Sequence, residues 1–344
     1  MNYPKFICKN DKIAYVAPSC GCAHEPYYTK VQSSIKVMTN RGYKIECGPN
    51  VYKDEAIGRS NTATECAKEI NHYFNEDDCS ALLSVGGGEL MVEILPYVDF
   101  DKIKNNPKWF MGYSDNTNLT YLLTTICDMA SIYGPNCPTF GIVPHHKYLQ
   151  DALGLLEGTN LVINNYDLWE KSENHFKEDP LALLTLTEPC NIISYPASEV
   201  EMKGRLLGGC IDVLITLIGS KFDKTKEFIE KYQSDGIIWF LEACDLNNIA
   251  LRRALIQMDQ AGWFKNMKGI IFKLSMSECS RMCIIFPPSF ICYPLFQDSY
   301  RDERVCQRQP FPTRYPSFRS CSMDQLIYHP LAKTFPIPQY TLDP

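Results

Sequence analysis

The sequence predicts an α/β protein in which a doubly wound parallel sheet is followed by a smaller, β-rich α/β domain and a terminal region of abnormal composition. Three observations carry that expectation. The first 135 residues alternate strand-like and helix-like patterns; a polar, irregular stretch from 158 to about 190 interrupts the alternation before it resumes; and no glycine follows Gly269.

Lys12 to Val16 is a short β-rich run ending in Ala17-Pro18-Ser19. Residues 28 to 40 carry a helical pattern that Gly42 stops, and Tyr43 to Cys47 is extended again, which makes one βαβ unit. A second helix is expected from Ala63 to Phe74, with Thr62 or Thr64 as its cap, and then a buried strand from Ala81 to Val85. Gly86-Gly87-Gly88 leads into a third helical stretch through Leu95. The apolar strand Trp109 to Met111 runs into Ser114, a helix follows through Cys127, and Ser131 to Tyr133 closes at Gly134-Pro135. A parallel sheet of five such strands would gather Pro18, Gly87, Ser114 and Pro135 in the loops at its strand C-termini, where open α/β sheets bind ligands.

Residues 1–157 therefore read as one domain and 158–190, with EKSENHFKEDP, as a linker. In 191–272, Gly204-Arg205-Leu206-Leu207-Gly208-Gly209 is expected to lead into an apolar helix ending at Gly219. Gly236 to Leu241 is an apolar strand terminating at Glu242, Asn248 to Ala261 an amphipathic helix stopped by Gly262, and Gly269 to Phe272 a further strand. The last 75 residues hold 10 of the 22 prolines and 5 of the 16 cysteines but none of the 19 glycines. Turns between packed elements draw on glycine, and RDERVCQRQPFPTRYPSFRSC has neither helical nor strand period. Residues 273–344 read as a poorly foldable tail, the composition that a shifted reading frame starting near Lys273 would produce; a proline-rich extension is the other reading.

Composition narrows the function. With 344 residues, 45% hydrophobic, the chain can bury a large core. Its formal charge of -6, without a basic stripe, argues against nucleic acid as a partner. No apolar run approaches the roughly 18 to 20 residues that cross a bilayer, and the start lacks a secretory h-region, so no membrane partner and a cytoplasmic address are expected. The close cysteine pairs Cys20/Cys22 and Cys279/Cys283 have no second pair at zinc-ribbon spacing, so neither a metal nor an organic cofactor is expected. Cys47, Cys127 and Cys210 lie in apolar segments and read as small buried hydrophobes.

The strongest chemical signal is Trp109-Phe110-Met111-Gly112-Tyr113-Ser114-Asp115, a strand that stops at a serine with a helix behind it. Such a turn projects the hydroxyl clear of its neighbours, and the amide of the following residue, Asp115, points into the same space to stabilise an oxyanion. It is not a G-x-S-x-G elbow, because position 116 is Asn. Gly86 to Gly88 could bring backbone close to an oxyanion or form only a turn. Glu242 could orient an imidazole or be salt-bridged at the surface. Arg252-Arg253 reads as a solvated helix face and Tyr113 as packing.

Further segments, in order, are Ala17-Pro18-Ser19, Gly87-Gly88 followed by ILPYVDF at 94–100, GYSDNT at 112–117, YGP at 133–135, GRLLGGC at 204–210, and WFLEACD at 239–245 followed by LRRALIQMDQAGWF. Together they resemble the serine LD-carboxypeptidases, including the microcin C self-immunity peptidases, over about residues 10 to 272. The resemblance implies a flavodoxin-like N-terminal domain, a β-rich C-terminal domain, a Ser-Glu-His triad assembled across the two, a homodimer, and a small peptide as substrate. Ser114 matches the nucleophile and Glu242 the triad carboxylate. The oxyanion hole maps to the amides of Gly88 and Asp115, with Gly87 beside the substrate. The family's histidine follows the glutamate in a glycine-histidine context. Here only His329, in Ile-Tyr-His-Pro, follows Glu242. The expectation is thus a serine peptidase that cleaves an amide bond near the C-terminus of a murein tetrapeptide or a peptidyl-nucleotide antibiotic; the alternative is a catalytically dead relative that binds such a ligand.

Overall fold

In the computed structural model, which describes residues 1–170, 174–195, 200–274 and 281–285, the first strands carry apolar residues on both faces. This is the pattern of parallel strands covered by helices on two sides. Strand β1 (Lys12–Val16) is followed by α1 (Tyr27–Asn40), β2 (Lys44–Cys47), α2 (Ala63–Asn75), β3 (Cys79–Ser84), α3 (Phe100–Asn105), β4 (Trp109–Gly112), α4 (Thr117–Thr125) and β5 (Ile132–Tyr133). The five strands pair in parallel in the order β2-β1-β3-β4-β5, a doubly wound flavodoxin-like sheet. Alternation decides which core each side chain enters: Ala14, Val16, Leu82 and Phe110 join one cluster, and Ile13, Tyr15, Ala81, Leu83 and Met111 the other.

Helix α5 (Lys147–Glu157), ended by left-handed Gly158, leads into a ribbon of β6 (Leu168–Trp169) and β7 (Glu188–Pro189). The second sheet takes β8 (Asn191–Tyr195), β9 (Arg205–Cys210), β10 (Ile237–Ala243), β11 (Met267–Leu274) and β12 (Arg281–Ile285), with α6 (Ile211–Leu217), α7 (Thr225–Lys231) and α8 (Asn248–Gln260) between them. Its order is β8-β12-β11-β10-β9; β9, β10 and β11 run parallel and β12 antiparallel to β11. Strand β12 falls within the stretch after 272 that composition sets apart. Residues 286–344, His329 among them, lie outside the described residues.

One expected helical stretch differs. The segment after Gly88 forms a three-ten helix, Met91–Tyr97, with Pro96 inside it, and α3 starts separately where the Asp99 carboxylate accepts from Lys102 N. Proline has no N–H to continue an α-helical ladder. The run Arg205–Cys210 is strand β9 and leads, as expected, into the apolar helix α6, which stops two residues short of Gly219. The strand's glycines are demanded by close packing: a Cβ on Gly208 would overlap the Phe240 carbonyl oxygen of the neighbouring strand, and one on Gly209 would lie 2.6 Å from Thr117 Cγ2.

That last contact joins the two sheets through α4. Every residue of this helix is buried, and its threonines are tolerated there because the hydroxyls of Thr117, Thr120, Thr124 and Thr125 donate to backbone carbonyls three or four residues earlier. Leu119, Tyr121 and Leu122 share one core with Leu207 and Trp239 of the second sheet and Ile211 of α6. Tyr121 stacks on Trp263 at 5.4 Å, and its hydroxyl lies 2.8 Å from Thr225 Oγ1. A helix beginning at the candidate nucleophile is thereby fixed to both halves.

The loops after β1 and β2 are tied together by a buried carboxyl, Glu69 on α2. It accepts from Ala17 N at 2.7 Å and Asn50 N at 3.0 Å. Burial outweighs these two donors and pushes its pKa from 4.5 up to about 7. The folded state therefore holds this proton more tightly than the unfolded chain, so the group's contribution is full below 4.5 and lost as pH rises through 7. Relative to Glu69→Gln, the wild-type chain should lose on the order of 3 kcal/mol between pH 4.5 and 8, read from urea midpoints at each pH.

Candidate active site

Strand β4 ends at Gly112, and the chain turns through Tyr113 and Ser114 into α4. Ser114 has φ +62, the left-handed region that costs a non-glycine residue about 1 to 2 kcal/mol. The turn is held from several sides. Ser114 N donates to Tyr133 Oη at 2.9 Å, and Ser114 O accepts from Thr117 Oγ1 at 2.7 Å. Asn116 Nδ2 donates to Gly86 O at 2.8 Å and Tyr113 O at 3.0 Å. Asparagine at 116 therefore does by side-chain bonds what a second glycine does in the common elbow, and Gly112 makes room for it: a Cβ there would sit 2.8 Å from Asn116 Cγ.

The Gly86 to Gly88 turn at the end of β3 lies against the serine. A Cβ on Gly87 would meet Ser114 Oγ at 3.1 Å and point toward Asp115 N at 3.9 Å. One on Gly88 would overlap Ser19 Oγ and come within 2.7 Å of Gly58 O. Replacing Gly88 with Ala should therefore displace its amide, lowering turnover about 10²- to 10³-fold and stability by about 1 to 3 kcal/mol, read by steady-state assay and denaturant midpoint.

The role expected of Asp115 concerns its backbone amide alone. Its side chain is buried and accepts from Ser19 Oγ at 2.5 Å, Met91 N at 2.9 Å and Asn118 Nδ2 at 3.0 Å. It staples the loop after β1 and the three-ten helix to the nucleophile turn, and burial raises its pKa.

Glu242 is buried near the end of β10. Its Oε1 accepts from the hydroxyl of Tyr133, the same hydroxyl that holds Ser114 N. The strand end is fixed by Asp212 on α6, whose carboxylate accepts from Cys244 N and Asp245 N, both at 3.0 Å. Between the sheets lies a small cleft of about 90 Å³, walled by Gly88, Ser114, Asp115 and Asn118 on one side and Cys210, Asp212 and Asp245 on the other. Glu89 at its rim has its pKa raised by burial and by Asp115, Asp245 and Asp212.

All five expected site residues thus meet at one junction: Ser114, Gly88 and Asp115 line the cleft, Gly87 abuts the serine, and Glu242 reaches it through Tyr133. Arg252 and Arg253 are not among the cleft residues, and Tyr113 is buried packing. No histidine among the described residues lines the cleft. His24 pairs with Asp54, His145 with Phe140 O and His175 with Glu170; His146 caps α5, and His72 packs on Tyr73. Sequence reasoning assigned no role to Tyr133, Asn116 or Asp212. Tyr133 did carry a signal, as a tyrosine at the C-terminal end of a parallel strand.

Comparison with known proteins agrees with this architecture. Family models for the LD-carboxypeptidase N-terminal domain and the LD-carboxypeptidase C-terminal domain match residues 13–134 and 203–283. The chain belongs to the LD-carboxypeptidase family. It is 28% identical over 197 residues to the microcin C7 self-immunity protein MccF of Escherichia coli, a match that covers 55% of this chain and only 56% of MccF. It is 25% identical over 273 residues to a probable murein peptide carboxypeptidase of Bacillus subtilis, covering 79% and 74% of the two chains. The crystal structure of an MccF-like protein from Bacillus anthracis superimposes with a TM-score of 0.68 at 23% identity, over 81% of this chain and 83% of that one, a likeness of fold. Among the described residues no helix is long and apolar enough to cross a membrane, and no group of three or more His, Cys, Asp or Glu could hold a metal ion.

Proposed function

We propose that this chain is a serine peptidase that hydrolyses an amide bond near the C-terminus of a small peptide. Ser114 Oγ attacks the carbonyl carbon and gives its proton to a histidine oriented by Glu242. The amides of Gly88 and Asp115 hold the resulting oxyanion, and Gly87 leaves space beside it. Collapse of the tetrahedral intermediate breaks the C–N bond, the histidine protonates the leaving amine, and water then releases the acyl group by the same steps. The observation that carries the reading is the convergence of Ser114 and Glu242, from separate sheets, on one tyrosine hydroxyl.

The relatives' names point to murein peptides and to microcin C7; by family resemblance the substrate is a murein tetrapeptide ending in a D-residue or a peptidyl-nucleotide antibiotic. A homodimer and a cytoplasmic address belong to the same reading, by family resemblance. A second reading, a relative that only binds such a ligand, is favoured by one observation: no glycine-histidine pair follows Glu242. Incubating the full chain with each substrate, with products read by mass spectrometry and binding by calorimetry, separates the two. Release of the terminal residue supports the peptidase; binding without release supports the second reading; neither overturns both.

A further inference from the structure

Two hydrogen bonds made by one phenol carry an inference about this site, and it rests on the peptidase reading. Tyr133 ends the two-residue strand β5 directly across from Gly112, so its side chain leaves the sheet beside the nucleophile turn. Its hydroxyl accepts from Ser114 N at 2.9 Å and donates to Glu242 Oε1, residues 128 positions apart in the chain and on different sheets. The ring is buried and tilted against Phe240 of β10 at 5.6 Å. Burial, reinforced by the Glu242 charge, holds the phenol pKa well above its ordinary value, so the proton donated to the carboxylate stays on Tyr133.

We propose that Tyr133 is a positioning residue that couples the nucleophile turn to the triad acid, one hydroxyl fixing both the left-handed backbone of Ser114 and the orientation of Glu242. It touches neither substrate nor reacting atoms in this role. Because Ser114 N is committed to Tyr133, the oxyanion donors must be other amides, which agrees with Gly88 and Asp115. Removing the hydroxyl would leave the Ser114 amide without its acceptor and deprive Glu242 of a charge-assisted bond.

The test uses the full chain and two readouts. In saturation labelling with a fluorophosphonate, Tyr133→Phe is expected to lower the maximal inactivation rate about tenfold while leaving the half-saturating concentration unchanged. In denaturant unfolding of Y133F, E242L and the double variant, where leucine keeps most of the bulk of Glu242 but cannot accept from Tyr133, the double variant should lose less than the sum of the two single losses. Strictly additive losses overturn the coupling, as does a Y133F chain labelled at the wild-type rate. Wild-type protein that takes no label while the cycle remains non-additive keeps the hydroxyl link and removes the peptidase reading instead.

Discussion

Replacing Ser114 with Ala is expected to lower hydrolysis by on the order of 10⁴- to 10⁶-fold, leaving only what the oxyanion donors and binding contribute. The fold should survive the change. The bonds that hold the turn use Ser114 N and Ser114 O, Tyr133, Asn116 and Thr117, all of which an alanine leaves in place. Ligand affinity in calorimetry should therefore change little while product release stops. Turnover persisting in S114A would mean that the nucleophile lies elsewhere.

Glu242→Gln is the second decisive substitution. Glutamine has nearly the same shape and can still accept from Tyr133, so the buried strand end keeps its packing. What is lost is the negative charge that holds a histidine in one tautomer and stabilises it when protonated, and this loss costs about 10⁴-fold in related triads. The expected result is a fall of that order in kcat with KM nearly unchanged, because the carboxylate acts on the base rather than on the substrate. A change confined to KM would place Glu242 in substrate binding and dismantle the proposed triad.

The parts of this architecture legible in the sequence are those that local periodicity encodes. Strands β1, β4 and β10, the helix before Gly42 and the Ser114 turn all follow from runs of apolar residues and the breakers beside them, Pro18, Gly112, Gly236 and Gly42. Where meaning comes from contacts distant in sequence, the pattern misleads or falls silent. The need for glycine at 208 and 209 is invisible until the Phe240 carbonyl and Thr117 are beside them. Tyr133 was visible only as part of a motif, because its two partners come from two other strand ends. Asp115 was read for its amide alone, while its carboxylate ties Ser19 and Met91 together. Glu242 could have been a surface acid; it is buried because its strand is central, paired at this position with Cys210 on one side and Lys273 on the other.

The most direct measurement is the mapped site of fluorophosphonate attachment in the intact chain, by mass spectrometry of its peptides. The account predicts a single adduct on the peptide containing Ser114, absent from S114A and strongly slowed in E242Q. An adduct on a different serine, or a rate indifferent to the loss of the Glu242 charge, would contradict it.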